Sequence, residues 1–226
     1  MEYEQIVFTR TGRVAVITLN RPDAMNTTTS VMNGELAHAF RAAAEDDRIG
    51  CLVITGAGRA FCAGADVRAM QSGLQGGDGY RGNFGPEGRL QTLWNVPKPT
   101  IAAINGIAAG VAPSAAGMRP AVGVGPGAHR LYLPKSGAGA EFGSTFLLSR
   151  VVGLGRAFDL AYSGRVLNAD EALRIGLFTA VYPHDAFMEE VMKVATELAD
   201  GPTGALAIAK EGIHRGLVTT LEQAES

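Results

Sequence analysis

The chain is poor in cysteine and carries almost no net charge, and both features exclude classes of protein. Two cysteines, Cys51 and Cys62, cannot build a disulfide framework, and this usage suits a reducing compartment, so we expect a cytoplasmic protein. Lysine and arginine total 20 and aspartate and glutamate total 22, which leaves a formal net charge of -2. No basic stripe interleaved with aromatic residues occurs, so we expect no nucleic-acid partner.

Segments that would bind a membrane or a metal are lacking as well. Residues 1–6 contain neither the basic region nor the apolar region of a signal peptide. The longest weakly polar run, residues 101–117, is rich in alanine and glycine and is too short to span a bilayer. The four histidines do not have the spacing of metal ligands: His38, His129, His184 and His214. We therefore expect no membrane partner and no metal site.

What the chain does contain is an alternation of short apolar segments and helical patterns. The apolar runs over residues 51–55 and 101–104 show no alternation, which is typical of strands buried on both faces. Residues 6–9 and 14–19 predict a hairpin, and a residue within 27–30 is expected to cap a helix that runs to about residue 44. Further helices are predicted over residues 146–152, 156–162, 169–175, 186–199 and 203–215, and a last strand over residues 180–182. Strands that alternate with helices predict an α/β layered fold.

Two strand-to-helix junctions carry the strongest functional signal. Residues 60–67 (Ala-Phe-Cys-Ala-Gly-Ala-Asp-Val) and residues 98–106 (Lys-Pro-Thr-Ile-Ala-Ala-Ile-Asn-Gly) each have the pattern of a buried strand that enters a loop of small residues before a helix. Backbone N–H groups at the start of a helix are unpaired and favour an anion. Two such junctions side by side can direct two N–H groups at one oxygen. This is an oxyanion hole, and it suits chemistry that builds negative charge on a carbonyl.

These junctions and other motifs in the same order resemble the crotonase superfamily, also called the enoyl-CoA hydratase/isomerase family. The matching segments are residues 16–22 (Val-Ile-Thr-Leu-Asn-Arg-Pro) with Asn26, residues 61–66, Lys98-Pro99 with Asn105-Gly106, and residues 167–172 (Leu-Asn-Ala-Asp-Glu-Ala) with 175–177 (Ile-Gly-Leu). The resemblance covers residues 3–111 and 140–215. It implies a spiral of ββα units over residues 1–185, followed by a partial C-terminal helical region over residues 186–226 that is shorter than the family's.

The resemblance also implies the ligand and the assembly. Members of this family bind an acyl-CoA thioester, and coenzyme A enters as part of the substrate, so no separate cofactor is expected. They usually form trimers, which implies a homotrimer or a hexamer for this chain.

Carried over by position, the resemblance assigns the two donors of the oxyanion hole. The first is the N–H of Ala65 and the second is the N–H of Val111. The family usually has glycine at the second position; only the backbone is needed there, but the branched side chain of valine crowds a ligand. For Ala65 the alternative is a tight turn that simply requires small residues. Contacts with the CoA thioester are implied for Arg21, Ala24, Met25, Ala63, Gly64, Asp66 and Gly110, although a solvated loop at residues 21–25 and a helix-capping role for Asp66 remain open.

The carboxylates distinguish two reactions within the family. Family hydratases use two glutamates around an activated water, and the first of these positions is Ser114 here, which cannot act as a carboxylate. Glu141 stands where the family's Δ3,Δ2-enoyl-CoA isomerases place their single glutamate, and desolvation would raise its pKa towards a useful value. The resemblance thus favours an isomerase. An enoyl-CoA hydratase and a catalytically inactive CoA-binding relative are the alternatives, and Glu141 as a simple charge at a helix start is the alternative for the residue.

Between residues 111 and 140 the resemblance ends. The family has a helix ending in a Cys-Asp pair and then a strand, whereas residues 117–127 (Gly-Met-Arg-Pro-Ala-Val-Gly-Val-Gly-Pro-Gly) suit neither a helix nor a buried strand. When the codons of residues 118–139 are read one base later, they can encode a segment beginning Cys-Asp-Leu that resembles the missing one and leads into Ala140. We hypothesise a compensated frameshift within residues 112–139, in the gene or in the recorded sequence. A peptide that is real as written is expected to be distorted across these residues and to damage the acyl pocket.

The nucleotide sequence of the gene tests this hypothesis. We expect the codons of residues 118–139, read one base later, to begin with Cys-Asp-Leu and to rejoin the present frame at Ala140. Codons that cannot yield the shifted reading contradict the hypothesis.

Overall fold

Two β-sheets and the helices packed on them make up the part of the chain that the computed structural model describes, which comprises residues 2–66, 92–109, 121–124, 131–132, 144–220 and 223. Within these residues the strands are β1 (Ile6–Thr11), β2 (Val14–Leu19), β3 (Cys51–Gly56), β4 (Ala60–Cys62), β5 (Thr100–Ile104), β6 (Ile107–Ala109), β7 (Ala121–Val124), β8 (Leu131–Tyr132), β9 (Val166–Leu167) and β10 (Ala180–Tyr182). The helices are α1 (Ser30–Glu45), α2 (Ser144–Val152), α3 (Leu154–Ser163), α4 (Ala169–Arg174), α5 (Phe187–Asp200) and α6 (Thr203–Gly216). A 3-10 turn covers Pro22–Ala24.

The larger sheet has six described strands in the order β1-β2-β3-β5-β7-β10. β1 and β2 form the predicted antiparallel hairpin, and every later pair in this sheet is parallel. The predicted cap of α1 is Thr29, whose hydroxyl accepts a hydrogen bond from the Met32 N–H at 3.1 Å. Strands paired in parallel with helices between them confirm the α/β prediction.

Helices cover both faces of this sheet, because successive side chains of a strand point to opposite faces. Leu52 and Ile54 of β3 belong to the apolar cluster that contains the buried face of α1. Cys51 and Val53 belong to a second cluster, formed with the buried face of α5. All six residues of β3 are buried, which confirms the prediction of a strand buried on both faces.

The prediction that residues 117–127 contain no buried strand is wrong at β7. This strand pairs in parallel with β5 on one side and with β10 on the other, so it lies inside the sheet. Pairing of this kind engages the backbone N–H and C=O groups, whereas the prediction rested on side-chain periodicity. The distortion expected across the rest of residues 112–139 falls outside the described residues, apart from β8.

A second sheet, in the order β4-β6-β8-β9, was only partly predicted. β4 and β6 pair in parallel, with Cys62 opposite Ala108. Gly106 precedes β6, and a Cβ atom added there would meet the backbone carbonyl of Arg59. This close approach explains a glycine after Asn105, because it lets the chain turn from β5 directly into the second sheet.

A buried carboxamide joins the loops at the carboxyl edge of the parallel strands. The Asn26 side chain is fully buried, and its Nδ2 donates to the carbonyls of Ala57 and Ala60 at 2.9 and 2.7 Å. Its Oδ1 accepts from the Arg21 N–H at 2.9 Å. Asn26 has a φ of 56°, a left-handed conformation that asparagine tolerates better than most residues. One side chain therefore satisfies three backbone groups that no strand can pair.

Two lysines likewise satisfy backbone carbonyls, at the edge of the larger sheet where β5 begins. Lys98 Nζ donates to the carbonyls of Ala43 and Asp46 at the end of α1, both at 2.7 Å. Lys210 Nζ, from α6, donates to the carbonyls of Val96 and Lys98 at 2.9 and 3.0 Å. Burial lowers the pKa of Lys98, and it lowers the pKa of Lys210 to about 8. Lys210 thus ties α6 to the start of β5.

Replacing Asn26 by glycine is expected to lower the free energy of unfolding by about 3 kcal/mol, because one buried and two half-buried backbone groups lose their partner. Glycine adopts the left-handed conformation freely, so the loss isolates the carboxamide. Chemical denaturation measures it, with Asn20→Gly as the matched control on the exposed side of the same loop. Equal losses in the two variants would show that the carboxamide does not hold these loops.

The buried lysine of α6 gives a second prediction, on pH. Between pH 8 and 10.5 the unfolded chain keeps a proton that folded Lys210 has released, so the free energy of unfolding should rise with pH. We expect the free energy of unfolding of the parent protein to rise by about 2 kcal/mol relative to that of Lys210→Met between pH 7.5 and 9.5. Chemical denaturation at each pH measures the difference in free energy of unfolding between the two proteins. Both proteins retain Cys51, whose pKa burial raises to about 12, so its opposite effect on stability is present in both.

The control for this comparison is Lys193→Met, because the exposed Lys193 is paired with Glu189 and Glu190 and its pKa is raised out of the same window. Lys193→Met should follow the parent protein from pH 7.5 to 9.5. A Lys210→Met curve parallel to both would contradict the role assigned to burial.

Candidate functional site

The loop that follows β4 is held by the segment that precedes α1. The Ala63 N–H donates to the Met25 carbonyl at 3.0 Å. The Thr28 N–H donates to the Gly64 carbonyl at 2.9 Å, and the Asp66 N–H donates to the Thr28 carbonyl at 3.1 Å. These last two bonds form a parallel bridge between Thr28 and Ala65.

The bridge determines where the N–H of Ala65 points. In a parallel bridge the bonds to Thr28 come from the residues before and after Ala65, so the N–H and carbonyl of Ala65 itself face the opposite side. Gly64 has a φ of +104°, which other residues rarely adopt. The small residues of this motif therefore allow a backbone geometry in which the Ala65 N–H points away from Thr28.

The two strands that lead to the predicted oxyanion-hole donors end side by side. β4 and β6 are parallel, and a Cβ atom added to Gly64 would lie 3.8 Å from the carbonyl oxygen of Ala109, the last residue of β6. The expectation that residues 98–106 lead into a helix is wrong, because Asn105 and Gly106 lead from β5 into the strand β6; it is the end of β6 that lies beside the loop after β4. Gly110 and Val111, which follow β6, lie outside the described residues.

Arg21 and Asp66 form an ion pair across this junction. Arg21 Nη2 lies 3.0 Å from Asp66 Oδ2, and 24% and 17% of the two side chains are exposed. Arg21 Nη1 donates to the Thr27 carbonyl at 2.6 Å and to its hydroxyl at 3.2 Å. The Thr27 hydroxyl also donates to Asp66 Oδ2, at 3.5 Å. The positive charge of Arg21 is thus compensated by the carboxylate of Asp66.

The structure places most of the predicted binding residues in one neighbourhood. Arg21 and the 3-10 turn lead to Met25, whose left-handed backbone, with a φ of 50°, presents its carbonyl to Ala63. Gathered here are Arg21, Ala24, Met25, Ala63, Gly64, Ala65 and Asp66. The remaining predicted residues, Gly110, Val111, Ser114 and Glu141, lie outside the described part of the chain, as does the helix that Asp66 was expected to cap.

Sequence reasoning missed two residues that complete this neighbourhood. The motif that contains Asn26 does not reveal its hydrogen bonds across the loops, because these cannot be derived from spacing. The sequence indicates Thr28 only as a possible helix cap, whereas it forms the bridge to Ala65. Its hydroxyl is buried and has no hydrogen-bond partner within the described residues. Nothing in the local sequence pattern signals either role.

A cavity of about 510 Å³ lies elsewhere, between α2, α6 and the start of β5. Leu147, Val151 and Leu177 are among its apolar lining residues. Trp94 and His214 also line the cavity and stack on each other, with ring centroids 3.5 Å apart. Burial and the charge of Lys210 lower the pKa of His214 to about 4. The cavity is lined by none of the described residues of the candidate site.

Within the described residues the structure contains neither a metal-binding cluster nor a membrane-spanning helix. There, no three side chains of histidine, cysteine, aspartate or glutamate are grouped so that they could hold a metal ion. None of the described helices has both the length and the apolar character that crossing a bilayer requires.

Comparison with known proteins gives a consistent result. The sequence model of a family described as enoyl-CoA hydratase/isomerase matches residues 9–226. A probable enoyl-CoA hydratase of Rhizobium meliloti is 36% identical over 225 residues, which cover 99% of this chain and 86% of that protein.

Two solved structures of enoyl-CoA hydratases or isomerases resemble this chain in fold. A crystal structure of an enoyl-CoA hydratase from Bacillus anthracis superposes with a TM-score of 0.87 at 28% identity, covering 98% of this chain and 86% of that one. A monofunctional enoyl-CoA isomerase from M. smegmatis gives a TM-score of 0.83 at 26% identity, covering 98% of both chains. These matches confirm the fold expected from the motifs, and the chain belongs to the enoyl-CoA hydratase/isomerase family of the crotonase superfamily.

Proposed function

We propose that this chain is an enoyl-CoA isomerase that shifts the double bond of a 3-enoyl-CoA to give the 2-enoyl-CoA. The observation that carries the proposal is a pair of positions in a chain of this family: serine at 114, where a hydratase needs a carboxylate, and glutamate at 141. A double-bond shift needs one acid–base group, whereas addition of water needs a group that activates the water as well. The monofunctional isomerase among the similar structures supports the same choice.

The proposed reaction uses the N–H of Ala65 and the N–H of Val111 to hold the thioester oxygen. Glu141 removes a proton from the carbon next to the thioester, and the electron pair moves onto that oxygen as an enolate. The enolate collapses when the same proton is returned two carbons further along, so the double bond moves without gain or loss of atoms. Each hydrogen-bond donor lowers the activation barrier of such a reaction by about 3 kcal/mol. The bridge that turns the Ala65 N–H away from Thr28 supports its role.

The CoA part of the substrate is assigned to the loops around this N–H. We place it against Arg21, Ala24 and Met25 on one side and Ala63, Gly64, Asp66 and Gly110 on the other. The reaction as proposed draws on no cofactor apart from the CoA of its substrate. Membership of the family also supports, by analogy alone, a homotrimer or hexamer in the cytoplasm.

Two other functions stay open to test. The Rhizobium and Bacillus relatives are named hydratases, which favours water addition to a 2-enoyl-CoA, although Ser114 does not supply the second carboxylate. The departure from the family over residues 112–139 favours a chain that binds CoA without turnover.

A spectrophotometric assay tests the proposal. The protein is supplied with a 3-enoyl-CoA, and the absorbance of the conjugated 2-enoyl-CoA is followed. We expect turnover that falls at least about 100-fold in Glu141→Gln, because the variant lacks the acid–base group. Glu189→Gln, on the exposed face of α5, is the matched control and should keep full activity.

Each alternative predicts a different result in the same assay. Turnover that survives Glu141→Gln would show that another group is the base and would contradict the assignment. Faster hydration of a 2-enoyl-CoA than isomerisation would identify a hydratase. CoA binding without turnover of either substrate would identify the inactive relative.

A further inference from the structure

We propose that the Arg21–Asp66 ion pair is a clamp that holds the Ala65 N–H in the direction needed for catalysis, so that both residues are positioning residues. The inference rests on the proposed function, because it concerns the N–H that is assigned to the thioester oxygen. For Arg21 and Asp66 the clamp is an alternative to the direct CoA contact proposed above, and the contacts of the other residues assigned to CoA are unaffected.

Within the described residues, three backbone hydrogen bonds join the loop that carries Ala65 to the segment before α1, and one of them, from the Ala63 N–H to the Met25 carbonyl, lies before Gly64. The bridge to Thr28 consists of two hydrogen bonds, at 2.9 and 3.1 Å, between segments that belong to neither sheet. Gly64, directly before Ala65, is the residue type that loses most conformational freedom when it is held in one state. Because only the two bridge bonds lie beyond the glycine, a side-chain contact at Asp66 would restrict the direction of the Ala65 N–H further.

The ion pair encloses this bridge from both sides. Through Nη1 the guanidinium of Arg21 binds Thr27, which precedes the bridge residue Thr28, at 2.6 Å. Through Nη2 it binds Asp66, which follows Ala65, at 3.0 Å. One planar group with fixed donor directions thus joins the two segments on either side of the bridged residues. The pair is mostly shielded from solvent, so salt screens it less than an exposed pair.

The clamp is in turn anchored to the strand that leads to Ala65. The Arg21 N–H donates to Asn26 Oδ1 at 2.9 Å, and the Asn26 N–H donates to the Arg21 carbonyl at 2.9 Å. Asn26 Nδ2 donates to the carbonyl of Ala60 at the start of β4. The contacts therefore form a closed ring that runs from Arg21 through Asn26, along β4 to Asp66, and back to Arg21.

Kinetics with two substrates separate a clamp from a CoA contact. We would measure kcat and KM of Arg21→Met and Asp66→Asn with a 3-enoyl-CoA and with the 3-enoyl-pantetheine thioester, which lacks the nucleotide. A clamp predicts that kcat falls about 10- to 100-fold with both substrates while KM changes less than threefold, since loss of a whole donor costs about 100-fold or more. Arg48→Met, which removes an exposed ion pair with Asp46, is the control and should have no effect.

Two further variants show whether the residues act as a pair. The double variant Arg21→Met, Asp66→Asn should be no slower than the slower single variant, because both changes remove the same interaction. Arg21→Lys should restore part of kcat, since an ammonium can reach Asp66 but cannot also bind Thr27 with a planar fork. Multiplied losses in the double variant would overturn the clamp. A loss confined to KM that vanishes with the pantetheine thioester would overturn it too and identify a nucleotide contact.

Hydrogen exchange keeps the inference separate from the proposed function. In Asp66→Asn the Thr28 amide, which belongs to the bridge, and the Ala63 amide, which bonds Met25 between the same two segments, should exchange at least about tenfold faster than in Arg48→Met, because the segments separate more often. If the parent protein turns over no 3-enoyl-CoA, the proposed function fails while this exchange result still supports the clamp. Unchanged exchange at both amides would overturn the clamp whatever the activity.

Discussion

Parallel pairing of β2, β3 and β5 is the constraint from which the rest of the described structure follows. It places the carboxyl ends of all three strands at one edge, so the loops that leave them meet there and carry backbone groups that no strand can pair. Asn26 and Asn105 meet that demand with carboxamides, and Asn105 does so by accepting from the Gly56 N–H and donating to the Gly58 carbonyl. The second sheet starts from these loops, and the candidate site lies at its end.

A candidate site whose main hydrogen-bond donors are backbone N–H groups depends on backbone geometry rather than on reactive side chains. Ala65 contributes no functional group of its own. What matters is that Gly64 can adopt its left-handed conformation and that Thr28 holds the neighbouring backbone groups. The residues that shape the candidate site are therefore spread over loops far apart in sequence, and reactive side chains within one motif would not reveal them.

The sequence allowed the long elements and the loop motif to be predicted, and failed where contacts across the chain decide the outcome. β3 and β5 were predictable because most of their residues are apolar without alternation, and the turn at residues 63–66 because residues 63–65 are small. β6, β7 and β9 are two to four residues long and depend on pairing, so periodicity could not reveal them. The contact between Arg21 and Asp66 spans 45 positions, and neither residue has a neighbour that indicates the other.

The stack of Trp94 on His214 has a practical consequence. Trp94 is the single tryptophan of the chain, and the imidazole it contacts belongs to α6, the last long helix described. Its fluorescence is therefore an intrinsic optical probe of whether that helix is docked. Undocking could be followed in the unlabelled protein, separately from any event at the candidate site.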